Sequence, residues 1–488
     1  MKNILKGSLI LLMTFLLGGC SKENLNPVPQ TLLGEAQAFD TKDRVVGQVN
    51  GMYASVKSGA FLGGRFYVYL DIRAENFFPK STNLVTNYAT WNHNVLSTTN
   101  EVQGLWNSIY ASINAINIFL EGLNANWTSG KLTTIITETE YNQYLSEALT
   151  LRAISYFSLL QLYAQPYNKN AGASPGVPLR LQAEKTGANN DLARSTVAEV
   201  YTQILEDLND AEPGAINAYS TALLNTTRIH KNTIIAFKTR VYINMNNFPA
   251  VKTEAAKIVP AAAPFVAPSG HPHQLSSSFA AIWNSPYTLP ESIFSMPFTE
   301  TNTAGTQNSK AHYNHPSSSE SYYLNRTAQA FTALNDADAR KVQFQTGVVN
   351  SVTEYFVGKW RSFTPQIDYA PVIRYAEVLL NYAEALVRDG GTVTQQAVDL
   401  LNAVRTRSFP AGAYVLGDFA DAAAFRAAIM LERNIEFLGE GFRNMDLARN
   451  MMALPGKGTV PAIQTTDPNY IWPIPENEMI FNKLMIQN

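Results

Sequence analysis

The feature that most restricts this chain is a series of apolar stripes at helical spacing, and the stripes come in pairs. Val45, Val49, Met52 and Val56 recur every three or four residues, and Val102, Trp106, Ile109, Ile113, Ile116 and Leu120 do so over about five turns. Leu145, Leu149, Ala153, Tyr156, Leu160 and Tyr163 mark another stripe. Val197, Tyr201, Ile204 and Leu208 follow it, opened by the capping-box pattern Thr196-x-x-Glu199. Ile234, Phe237, Val241 and Met245 lead into Val251, Ala255 and Ile258, with Pro249 suited to a first helical turn. Tyr375, Leu379, Tyr382 and Leu386 run to Gly390-Gly391, and Val393, Ala397, Leu400 and Val404 come after. A helix with one apolar face must bury it, and neighbours joined by short turns bury theirs on each other. A mainly α fold is therefore expected, with helix pairs at about 39–124, 141–211, 231–259 and 372–407.

Helix hairpins of this size resemble tetratricopeptide units, although the 34-residue consensus is not kept. The expected scaffold is a tetratricopeptide-like stack of helix pairs. Between about 260 and 370 the helical period dissolves into Pro, Ser, Asn, His and aromatic residues. A stretch that long inside a compact body is usually functional, and its many aromatics argue against disorder. "ESIFSMPF" and "TEYFVGKW" within it read as strands. The whole of 35–488 is expected to form one body, a helical base carrying an irregular, loop-rich ligand-binding part.

Composition narrows the partners. With 37 basic and 39 acidic residues the chain has no cation excess to displace counterions from a phosphate backbone, so no nucleic acid is expected. The single cysteine, Cys20, follows Lys2, Lys6 and the apolar run "LILLMTFLL". That run is too short to cross a bilayer but suits a signal peptide, here residues 1–19. Leu17-Gly18-Gly19-Cys20 resembles a bacterial lipobox, which makes Cys20 the expected lipidation site and residues 20–34, with two prolines and no apolar period, a tether.

Few residues carry a legible chemistry. His271 and His273 form H-x-H, and His312 and His315 form H-x-x-H, but neither pair has a cysteine or a clear acidic partner, so no metal is expected. "GGRF" near residue 65 lacks the spacing of a phosphate loop, and no G-x-S-x-G elbow occurs. Aromatic residues in loop-like sequence are more informative. Trp91, Trp283, Tyr287, Tyr313, Tyr322, Tyr323 and Trp360 stand beside amide and hydroxyl side chains, a mixture that suits a sugar ring or an extended peptide. Near the C-terminus Glu432, Glu436 and Glu440 lie four residues apart, flanked by Leu431, Ile435 and Leu438. Carboxylates at the margin of a buried face need cations, and Arg433, Arg443 and Arg449 are near in sequence, while Gly439 and Gly441 break the helix. A structural salt-bridge cluster is expected there rather than a hydrolase site.

The same stretch, "ERNIEFLGEGFRNMDLAR" with Asp446 near its end, resembles the signature of the SusD/RagB family, nutrient-binding lipoproteins of Bacteroidota outer membranes. "LWNSIYASINAINIFL", "EALTLRAISYFSLLQLYAQPY", "STVAEVYTQILEDLNDA", "RYAEVLLNYAEALV", "LLNAVRTRS" and "IWPIPENEM" resemble family segments in family order, the C-terminal signature region being 425–480. "YAQPYN" departs from the turn that relatives usually show. The resemblance implies a SusD-like α-α superhelix that is lipid-anchored in the outer membrane and faces the cell exterior. It implies no catalytic residue and no cofactor, binding of oligosaccharide, and delivery to a SusC-like, TonB-dependent barrel. A peptide ligand, as in RagB-like uptake, and a helical surface scaffold without small ligand are the alternatives. No ligand-contacting residue is carried over by motif.

Overall fold

A computed structural model describes residues 37–488, so the expected signal peptide, Cys20 and the tether lie outside the described residues. Along the chain run α1 (Lys42–Val56), α2 (Arg65–Arg73), β1 (Phe77–Pro79), α3 (Asn100–Thr128), α4 (Glu138–Tyr163), α5 (Val197–Gly214), α6 (Lys231–Asn244) and α7 (Phe248–Ala255). After them come β2 (Ser292–Met296), β3 (Tyr322–Leu324), β4 (Gln345–Val349), β5 (Val352–Phe356), β6 (Ala370–Arg374), α8 (Tyr375–Gly390), α9 (Gln395–Ser408), α10 (Ala422–Glu436) and α11 (Phe442–Arg449).

The helices begin and end where local chemistry dictates. Glu199 donates its backbone N–H to Thr196 Oγ1 at 3.2 Å and accepts the Thr196 N–H at 2.7 Å, so the capping box of α5 is formed. Thr137 and Glu140 do the same for α4. Pro249 sits in the first turn of α7, and Gly391 closes α8 at φ +72°.

Each helix then packs on the next: α1 on α3, α3 on α4, α4 on α5, α5 on α6, α6 on α7, α7 on α8, and α8 on both α9 and α10. The stripe residues Val45, Val49, Val102, Ile109, Val197, Ile204, Leu379 and Leu400 are all buried in one continuous core. Helix α4 is buried on almost every side, as expected of a helix enclosed by α1, α3 and α5. Among the described residues no helix is long and apolar enough to cross a membrane.

The loop-rich part covers the C-terminal half of the stack and holds only short strands. β1 pairs antiparallel with β3, β2 with β6, and β4 with β5. "ESIFSMPF" contains β2, and "TEYFVGKW" overlaps β5. The β4–β5 hairpin turns at Asn350-Ser351, both with positive φ, the geometry that matches strand twist in a two-residue turn. Here a second core forms from Trp91, Trp283, Tyr313, Tyr322 and Trp360 against Ile435 and Leu438 at the end of α10. Among the described residues the mainly α architecture thus carries two large cores of different composition, with two smaller apolar clusters beside them.

Candidate ligand-binding face and the ion cluster behind it

β1 is only three residues long, yet it organises one face of the molecule. Its register sets Phe78 opposite Tyr323, with ring centroids 5.8 Å apart. Trp91 donates its indole N–H to the Phe77 carbonyl at 2.7 Å and lies 6.0 Å from Phe78. Tyr88 stacks on Trp91 at 5.6 Å, and Tyr323 reaches Phe356 at 6.3 Å. A band of five rings results. Trp91 and Phe356 are buried and support it, whereas Tyr88, Phe78 and Tyr323 are half-buried and keep part of their surface open. Lys80 lies beside the band, its ammonium fixed on the carbonyls of Pro316 and Ser318 at 2.7 and 3.1 Å. Arg326 pairs with Glu354 at 3.2 Å next to Tyr323, and Leu84 is 63% exposed in the turn before Tyr88. Open ring faces beside fixed polar groups can take a flat ligand with an apolar face and a hydroxyl-rich edge.

The structure separates the seven aromatic residues read from the sequence. Trp91, Trp283, Tyr313, Tyr322 and Trp360 are all buried, because the loops above them close over their rings. Trp360 has no exposed surface at all. Tyr323 belongs to the band. Tyr287 is half-buried in a second group, stacked on Tyr369 at 4.9 Å and donating its hydroxyl to Asp368 at 2.7 Å. His315 lies flat on Phe363 close by, at 5.2 Å. Phe78, Tyr88 and Tyr369 escaped the sequence reading. Phe78 stands in "ENFFPK", where an aromatic pair before a proline is a usable signal for an edge strand; Tyr88 and Tyr369 carry none.

The buried tryptophans have a different task. Lys359 sits 4.9 Å above the ring of Trp283 and Arg374 lies 5.2 Å from it, while Lys310 is 4.6 Å from Trp360. Lys310 pairs with Asp71 at 3.3 Å, whereas Lys359 and Arg374 belong to an ion cluster around the end of α10. Glu436 is bound by Arg340 at 3.3 Å, Arg374 at 3.1 Å and Arg407 at 2.5 Å. Glu432 pairs with Arg340 and with Arg405 at 2.9 Å, and Glu440 with Lys359 at 2.6 Å and Arg374 at 2.8 Å. Glu291 joins through Arg374 and Arg407, and Asp338 through Arg340. Five carboxylates therefore face five cations, and the cluster is neutral. Burial pushes the Glu436 carboxyl upward, but Arg407, Arg374 and Arg340 outweigh it and hold the group at about 2. Burial also lowers the Lys359 ammonium to about 8 against the attraction of Glu440.

None of the three arginines expected to pair with these glutamates does so. Arg433 binds Asp446 at 2.9 Å, Arg449 binds Glu384 at 2.6 Å and Asp446 at 2.8 Å, and Arg443 binds Glu75 at 2.6 Å. The reason is geometric. Gly439 and Gly441, at φ +83° and +85°, turn the chain between α10 and α11 and carry Arg443 and Arg449 onto other partners, while Arg433 projects from another side of α10 than Glu432 and Glu436. Gly439 also has to be glycine for space, since a Cβ there would stand 2.9 Å from the Trp360 ring.

Residues 29–243 match the family model described as starch-binding and associating with the outer membrane, and residues 301–488 match the model of the SusD family. The chain belongs to the SusD/RagB family. It is 24% identical to a SusD-like protein of Formosa agariphila over 100% of its own length and 99% of the relative's. A SusD superfamily protein from Bacteroides fragilis is 29% identical, with a TM-score of 0.80 over 92% of this chain and 99% of that one. A laminarin-binding SusD-like protein, 18% identical, has the same fold at a TM-score of 0.70 over 92% and 99% of the two chains. SusD-family proteins bind rather than catalyse, and the family is associated with the outer membrane.

Proposed function

We propose that this SusD-family protein captures oligosaccharide on the Tyr88, Phe78 and Tyr323 band and delivers it to a SusC-like, TonB-dependent barrel in the outer membrane. The observation that carries this reading is the band itself: the half-open rings of Phe78 and Tyr323 held in register by β1 and β3, with Tyr88 stacked on Trp91 next to them, beside an anchored lysine and an Arg–Glu pair. A structural neighbour with the same fold binds laminarin, which supports a glycan as the ligand class. In this reading Trp91, Trp283, Tyr313, Tyr322 and Trp360 set the position of the face from behind, and Tyr287 with Tyr369 lies along the same loop-rich layer as a further contact. Cys20 anchors the chain by its lipid, with the body facing the exterior.

Glycan and peptide arrays on the full chain, followed by calorimetry on the best ligand, test the proposal. Binding of a glycan that weakens about 10-fold or more in Phe78→Ala and Tyr323→Ala, with the fold retained, is expected. Equal affinity in both variants would remove the band from the site, and a response confined to peptides would replace the ligand class. Cys20→Ala is expected to release the protein from the membrane fraction. Co-purification of a barrel from native membranes tests the partner.

A further inference from the structure

Helix α10 has a second polar side. Ala423, Arg426, Ala427, Met430 and Leu431 recur at helical spacing on the face turned away from Glu432 and Glu436, and with Arg388 of α8 and the turn after α11 they line a cleft of about 440 Å³. The two alanines leave room in it. Arg388 donates through Nη1 to Glu384 at 3.1 Å and to Asn450 at 2.8 Å, and its guanidinium lies 4.3 Å from the centre of the Phe248 ring. Among the described residues no group binds its Nε or Nη2, so those donors stay free at a fixed place. Arg426 is exposed and has no carboxylate within ion-pair distance among the described residues.

The charges here do not balance, in contrast to the neutral cluster on the other side of α10. Glu384 is shared by Arg388 and Arg449, Asp446 is shared by Arg433 and Arg449, and Glu75 pairs with Arg443. With Arg426 included, five guanidiniums meet three carboxylates. Burial lowers the Arg388 guanidinium, and Arg449 and Arg426 lower it further against the attraction of Glu384, so like charges are held together. α11 ends at this cleft and its carbonyl end opposes an anion, but a helix terminus carries only about half a charge, and Asn168 covers the Arg449 carbonyl at 2.9 Å. The guanidiniums therefore decide the sign. A separate observation concerns Met451, which lines the cleft with Met430 and Met452 and stands at φ +53° just after α11. Glycine takes that conformation at lower cost, so the methionine contributes through its side chain, an adaptable apolar wall beside the arginines.

We propose that this cleft is a second binding site, for a small organic carboxylate: Arg388 and Arg426 take the carboxylate, and the alanines and methionines cover its carbon skeleton. The volume lies in the range of small-ligand pockets, about 300–1,000 Å³. Guanidinium and carboxylate form the charge-assisted bonds for which arginine is suited. An inorganic anion would satisfy the charge but leave the apolar wall uncovered. The cleft shares no residue with the Phe78 and Tyr323 band, so it neither needs nor tests the glycan reading made there.

The full chain in detergent is titrated in a calorimeter with D-glucuronate, acetyl-dialanine and inorganic phosphate, and with D-glucose and acetyl-dialanine amide as uncharged counterparts. At least one of the two organic carboxylates is expected to bind with Kd below about 10 mM, and to weaken as salt rises. Its uncharged counterpart and phosphate are expected to bind about 10-fold or more weakly. Which carboxylate binds separates a sugar acid from a peptide terminus as the source. Arg426→Gln and Ala427→Leu, both at exposed positions, are expected to weaken binding about 10-fold or more while the melting temperature holds, and Tyr323→Ala to leave it unchanged. Absence of carboxylate binding below about 10 mM, equal binding of the uncharged counterparts or of phosphate, or affinity unchanged in Arg426→Gln or Ala427→Leu would overturn the site. A loss in Tyr323→Ala would overturn it too, by moving the carboxylate to the band.

Discussion

The two large cores of this protein bury comparable kinds of surface in opposite ways. The scaffold core is mainly aliphatic, with rings such as Trp106, Tyr163 and Trp472 among the Val, Leu and Ile side chains, and is assembled from neighbours in sequence order, each helix covering the one before. The second core is richer in aromatic rings, is fed by segments from residue 68 to residue 460, and is bounded on one side by a neutral cluster of ten charged groups. The first can tolerate adjustment, because apolar contacts are non-directional and side chains of similar volume exchange at modest cost. The second is held by directional bonds, and removal of one member leaves the others buried and unpaired. The family signature lies where the two meet, which explains why its glutamates are spaced as a helix face and its glycines as a turn.

The sharpest way to break this contrast is Glu436→Ala. Three guanidiniums lose a carboxylate in a fully buried place, and a loss of about 3–5 kcal/mol is expected in urea unfolding. A loss below about 1 kcal/mol would mean that the cluster relaxes like the scaffold. Acid should attack the same region next. The folded carboxyls of Glu436, Glu440, Glu384 and Asp446 all lie below their ordinary values: although burial pushes each of them up, Arg407 and Arg374 dominate at Glu436, Arg374 and Lys359 at Glu440, Arg449 at Glu384, and Arg433 and Arg449 at Asp446. Groups of that kind stabilise the fold fully above the unfolded value, here 4.5 for glutamate, and lose that contribution as pH falls towards about 2. Melting temperature should therefore decline over that window, and Glu436→Gln should flatten the decline.

Smaller effects test the two surfaces. Tyr323→Ala should weaken glycan binding by about 1–2 kcal/mol with little change in melting temperature, because its ring is half open and its backbone pairing survives. If stability falls as far as affinity, the band is core rather than face. Thr196→Ala should cost about 1 kcal/mol through the capping box of α5, with no effect on ligand. An effect on binding there would show that the scaffold is not a passive base.

Much of the scaffold was legible in the sequence. Periodicity of 3.6 residues states which face of a helix is apolar, and every stripe residue named from Val45 to Val56 and from Val102 to Ile116 is buried. The burial of Glu432 and Glu436 was legible for the same reason. Their partners were not. Arg340, Lys359, Arg374, Arg405 and Arg407 lie 27 to 96 residues away from the glutamates they bind, and nothing local distinguishes them from surface cations. For the aromatics the sequence indicated the chemistry but not the side: whether a ring lines the core or the face depends on which loop lies above it.

The sequence by itself determined the helix pairs, their caps and the turn at Gly439 and Gly441, because each rests on interactions within a few residues. Only the tertiary structure decided which cations neutralise the signature glutamates, which rings stay open, and that Arg388 joins Arg426 at one cleft. Those outcomes depend on long loops closing in one register, and loop closure brings together residues whose spacing along the chain carries no periodic signal.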